Sequence, residues 1–177
     1  SRFTSRVHRL LRDAPARFEV IHVPALAPAE VQALAARVDG ARRDLGAHAP
    51  AVAALTAGRA AYAHLLLDAL ASQGSSLDPI AALAALCAAD GRLTARCRES
   101  YEFRLHRARG YGALKAILGI LADEEPLNLT EISHQLRRTP GSTKDYLSWL
   151  EDVDLVAMAG KRYTYDDPLL RLYVRLH

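Results

Sequence analysis

"STKDYLSWLEDVDLVAMAGKRYTYDDPLL", residues 142–170, is the stretch whose reading decides the fold. Ser142 or Thr143 is placed to cap a helix whose Tyr146, Leu147 and Leu150 face inward. "LVAMAG" and "KRYTY" follow as two short strands joined at Gly160. Asp167 then caps a helix opened by Pro168, whose fixed φ suits the first helical position. Helix, strand, turn, strand and helix is the order of a recognition helix followed by a wing.

Upstream, "YGALKAILGILAD" sets Leu114, Ile117, Leu118 and Leu121 on one helical face. "EEPLNLT" reads as a loop with a short strand at Leu127 to Leu129. Thr130 is expected to cap "EISHQLRR", with Ile132 and Leu136 at i, i+4, and "TPGS" reads as a turn. Three helices and a two-stranded wing predict a winged helix-turn-helix over residues 108–177, because each local signal agrees with one fold.

Residues 29–107 read as a helical domain. "APAEVQALAARVDG" forms one helix ending at Gly40. "APAVAALTAGRAAYAHLLLDALASQG" gives a short helix, a break at Gly58 and a longer helix through Tyr62, Leu65, Leu66, Ala69 and Leu70. Asp78 caps "PIAALAALCAAD", with Pro79 at its first position. Gly91 ends that helix, and Thr94 caps the next, "ARCRESYEFRLHRARG". Before all of these, "SRVHRLLRD" has helical spacing at Val7, Leu10 and Leu11. "RFEVIHV" alternates β-branched and aromatic residues and predicts a strand through Phe18, Val20, Ile21 and Val23.

The composition agrees with a mainly α fold: Ala recurs throughout, and of 177 residues only 10 are Gly and 8 Pro. A chain of this length buries one sizeable core or two small ones. Net charge is +3, too mild to imply nucleic acid by itself. Cys87 and Cys97 lack a Cys or His at zinc-ligand spacing, which argues against a structural metal and for reduced thiols in the cytoplasm. No apolar run approaches the ~18 residues of a membrane span. The N-terminus has no signal-peptide core and no initiator Met, so the chain is expected to be a fragment.

No catalytic motif stands out. GxxxxGK[ST], GxSxG and HExxH are all missing, and the seven histidines are scattered. The chain is therefore not expected to be an enzyme. DNA contact can be tested by charge, since Lys and Arg meeting phosphates supply most of the affinity. Residues 110–177 carry eight Lys and Arg against ten Asp and Glu, so the basic excess lies upstream. Even so, Arg137, Arg138, Ser142, Thr143 and Lys144 gather at the helix start that would enter a groove first, with Lys161 and Arg162 at the wing tip. The plain alternative is a solvated turn and a wing tip blunted by charge. In the most basic run, "RLTARCRESYEFRLHRARG", the plain reading is a charged helix face with pairs such as Arg98–Glu102 and Arg96–Glu99, and the sharper one is a surface that meets nucleic acid or an acidic partner.

The order of these pieces resembles the C-terminal half of a P-loop ATPase of the STAND branch of the AAA+ class. "SRFTSR" resembles the end of the sensor-1 strand, with Arg2 as the sensing arginine. "FEVIHVPALAPAEVQAL" is similar to the last core strand and the helix after it. "AVAALTAGRAAYAHLLLDAL" resembles the helix, Gly-x-Pro turn and helix that cover the nucleotide. "YGALKAIL", "LTEISHQL", "YLSWLEDVDLV" and "RYTYDDPLLRLYVR" are similar to the winged helix, including its Asp-Pro ending. The resemblance implies a remnant of the ATPase core at 1–28, a helical lid at 29–107 and a winged helix at 108–177. It implies nucleotide contacts at Arg2, Gly58 and Arg59, and ATP and Mg bound by a parent protein whose P-loop lies upstream. The turn departs from the family in reading Gly58-Arg59-Ala60, without the proline that would stiffen it. Arg59 instead offers a planar guanidinium suited to phosphate.

The expected function is thus the lid and winged-helix output module of a signal-transducing ATPase, with its own core domain as partner. The alternatives are a DNA-binding transcriptional regulator and a protein-interaction module with an exposed apolar patch around Leu65, Leu66 and Leu67.

Overall fold

Asp167 and Pro168 show how local chemistry sets the element boundaries. The Asp167 carboxylate accepts from the amides of Leu169 at 3.0 Å and Leu170 at 3.3 Å, and the helix begins at Pro168. The computed structural model describes the chain apart from residues 1–3, 14–16, 18–20, 22, 40–44, 73–77 and 107. Among the described residues it is mainly helical, with ten α-helices and one small antiparallel sheet. The chain falls into two compact units, His22–Cys97 and Ser1–Ile21 with Arg98–His177.

The His22–Cys97 unit holds α2 (Pro28–Asp39), a 3-10 turn (Leu45–His48), α3 (Ala49–Thr56), α4 (Ala60–Ser72), α5 (Pro79–Leu86) and the start of α6 (Arg92–Leu105). Asp78 caps α5 through the Ile80 amide at 2.9 Å, as its position before Pro79 predicts. The helix ends at Leu86, short of Asp90. Thr94 is not a cap. It lies inside α6, buried, and its hydroxyl donates to the Cys87 carbonyl at 3.0 Å. The core is Val31, Ala35, Leu45, Val52, Tyr62, Leu66, Leu67, Leu70 and Leu93, with the Tyr62 hydroxyl 4.0 Å from the Cys97 sulfur. Leu66 and Leu67 are fully buried, so the exposed patch expected around Leu65 to Leu67 does not exist. Helix α4 packs against α2, α3 and α5 and keeps one polar stripe, His64, Asp68 and Ser72, at i, i+4 spacing.

The other unit begins with α1 (Thr4–Asp13) and resumes within α6. It continues through α7 (Tyr111–Glu124), β1 (Leu127–Asn128), α8 (Leu129–Leu136), α9 (Pro140–Asp152), β2 (Val156–Ala159), β3 (Arg162–Tyr165) and α10 (Pro168–Leu176). The sheet order is β1-β3-β2, with both pairs antiparallel. Leu114, Ile117, Leu118 and Leu121 of α7 are all fully buried, together with Ile132, Leu147 and Leu150. Gly160 and Lys161 join β2 to β3 at φ 55° and 65°. Two consecutive positive φ values match the right-handed twist of the flanking strands. β2 is an outer strand, and its Ala157, Met158 and Ala159 are exposed.

Two helix starts differ from expectation. Asn128, not Thr130, caps α8: its side chain accepts from the Glu131 amide at 3.0 Å, and Glu131 accepts from the Asn128 amide at 2.7 Å. Thr139, not Ser142 or Thr143, caps α9, one residue before Pro140. At the N-terminus, the strand expected over Phe18 to Val23 falls partly outside the described residues. Ile21 and Val23 lie in no strand and are 78% and 82% exposed.

Long-range polar contacts fasten this unit. The Tyr165 hydroxyl donates to the Leu118 carbonyl at 2.7 Å, within the core. Arg171 donates to the Ala122 carbonyl at 3.0 Å and pairs with Glu125 at 3.0 Å. The Arg104 guanidinium donates to the Asp154 carbonyl at 2.7 Å. Glu102 does not make the pair with Arg98 that its i, i+4 spacing predicts. It accepts from Tyr111 at 2.8 Å and from Lys115 at 3.1 Å. The Lys115 ammonium lies 5.4 Å from the centre of the Tyr101 ring and 4.7 Å from that of Tyr111.

Candidate functional site

The turn between α3 and α4 is built by two consecutive left-handed residues, Ala57 at φ 50° and Gly58 at φ 64°. The Gly58 amide donates to the Ala53 carbonyl at 2.9 Å, and the Gly58 carbonyl accepts from the Leu26 amide at 2.7 Å. A Cβ on residue 58 would stand 2.5 Å from the Leu26 carbonyl oxygen, so only glycine fits. Arg59 follows at the entrance to α4, where its carbonyl accepts from the Tyr62 and Ala63 amides at 3.0 and 2.9 Å. The sequence alone singles out Gly58 and Arg59; Leu26, which clamps Gly58, carries no local signal.

Beside this turn lies a cleft of about 520 Å³ between α2 and α4. Leu26, Ala33, Leu34, Ala60 and Ala61 make it mostly apolar, and Glu30, Arg37 and His64 bring charge and hydrogen-bonding capacity. Its volume lies within the range of small-molecule sites. His64 lies 3.5 Å from Asp68, whose carboxylate is also 3.5 Å from Arg92. Arg2, the other expected nucleotide contact, lies outside the described residues.

The expected DNA-facing residues divide into three kinds. Arg137, Lys144 and Lys161 are exposed. Arg137 ends α8 at φ 54°, and Lys161 sits at the strand turn. Arg138 is exposed but lies 5.8 Å from the centre of the Tyr146 ring. Arg162, Ser142 and Thr143 serve the fold. Arg162 donates to the Pro126 carbonyl at 3.0 Å and lies 3.6 Å from the Glu131 carboxylate, within the cap of α8. The Ser142 hydroxyl is 3.1 Å from that of Thr139, and Thr143 is fully buried with its hydroxyl on the Thr139 carbonyl at 3.0 Å. At the far end of α9, burial and then the neighbouring Asp152 raise the pKa of Glu151. Of these residues, Arg137, Lys144 and Lys161 present their charge around the start of α9 and at the strand turn.

Among the described residues, no group of three His, Cys, Asp or Glu is gathered as a metal site. None of their helices is long and apolar enough to cross a membrane. No family model, curated protein or solved structure matches the chain.

Proposed function

We propose that the chain is the lid and winged-helix portion of a signal-transducing, ATP-binding ATPase. The observation that carries this reading is the apolar cleft between α2 and α4, whose wall includes Leu26, bonded to Gly58 of the turn, and Ala60 and Ala61, which follow Arg59. Apolar walls of Leu and Ala suit the faces of a nucleobase, and Arg59 at the head of α4 suits a phosphate. The second unit is the output arm. Its α7, α8 and α9, with the β1-β3-β2 sheet, have the order of a winged helix. ATP and Mg belong to the parent protein, whose P-loop this reading places upstream. Nucleotide would shift the arm only through contacts that differ between two states, and the turn is where such contacts would form.

The test uses the full-length parent. Ala61 is exposed and lines the cleft, so Ala61→Trp fills it without disturbing the core. ATP binding by that variant is expected to weaken roughly tenfold with unchanged circular dichroism, the loss of about 1.4 kcal/mol. Unchanged binding overturns the assignment of the cleft. A start codon directly before Ser1, in place of an upstream GxxxxGK[ST], overturns the whole reading.

One observation favours a second reading, contact with duplex DNA: Arg137 and Lys144 are exposed around the start of α9, and Lys161 at the strand turn. It predicts binding whose log affinity falls with log salt by about 0.9 per phosphate contacted. The Lys144→Glu, Lys161→Glu double variant is expected to abolish it. Absence of wild-type binding at low salt removes this reading.

A further inference from the structure

We draw no further inference here: the strongest candidate, the half-exposed cluster between α6 and α7 where Lys115 pairs with Glu102 over the rings of Tyr101 and Tyr111, is already filled by its own lysine, and nothing in the structure shows what would take its place.

Discussion

The Leu26 amide and the Gly58 carbonyl meet at 2.7 Å, backbone to backbone. Side-chain changes at Leu26 therefore leave the bond itself in place. What the turn cannot accept is any side chain at residue 58, where the left-handed φ of 64° strains a Cβ and the close Leu26 carbonyl excludes it.

Gly58→Ala is accordingly expected to cost about 3 kcal/mol, from the left-handed penalty and the overpacking together. Ala57→Gly should act in the opposite direction, adding up to about 1 kcal/mol by relaxing a left-handed alanine. Urea denaturation of the two variants measures both. Equal midpoints would refute the left-handed geometry assigned to this turn.

Asp167→Ala removes one carboxylate that serves two amides at the start of α10. The expected loss is about 1–2 kcal/mol, because the site is buried and water cannot replace the cap. Asp167→Asn should recover most of it. A thermal melt showing Ala and Asn alike would contradict the capping role.

Alkaline pH should destabilise the chain through its phenols. Burial pushes Tyr101 from 10.0 up to about 12 and raises Tyr165 as well. The folded protein keeps protons that the unfolded chain releases above pH 10. This contribution to stability is full below pH 10 and is lost as the pH climbs towards about 12. In Tyr101→Phe, the fall in denaturation midpoint across that window should be shallower. An identical slope would show that Tyr101 does not titrate with folding.

Lys115 should be the slowest of the three lysines to react with an amine-acylating reagent. Its hydrogen-bonded partner Tyr111 raises its pKa, burial opposes this, and Glu102 adds to the rise. Acylation needs the neutral amine, whereas Lys144 and Lys161 stand exposed on the surface. Mass spectrometry after limited labelling ranks the three sites. Faster labelling at 115 would contradict the cluster, and Glu102→Gln is expected to narrow the difference.

The sequence made the helices with a single apolar face easy to find. Leu114, Ile117, Leu118 and Leu121 repeat at helical spacing, and Asp78-Pro79 and Asp167-Pro168 mark starts by side-chain chemistry that acts within three residues. Asn128 was equally legible, since Glu131 stands three residues on, the spacing of a reciprocal cap. Thr130, nearer the apolar run, has Ser133 rather than a Glu three residues on. In "RFEVIHV" only Ile21 and Val23 of the expected strand are described, and they lie in none: alternation describes a strand only if a partner strand is available, and none pairs with either among the described residues.

At the candidate site, Gly58 was legible as a break in a helical pattern, but the cleft was not. It depends on α2 lying beside α4, and no local pattern encodes that pairing. The same holds for Arg162. Its charge is visible in the sequence, whereas its use on the Pro126 carbonyl and beside Glu131 arises only when residues more than thirty apart are brought together.

The outer strand β2 carries a reporter of its own. Met158 is the one methionine in the sequence and is 53% exposed on that strand. Mild peroxide would convert its thioether to a polar sulfoxide at a single known position. Any partner that covered the strand would slow that oxidation, so the rate of one mass change reads out whether this margin of the sheet is open or occupied.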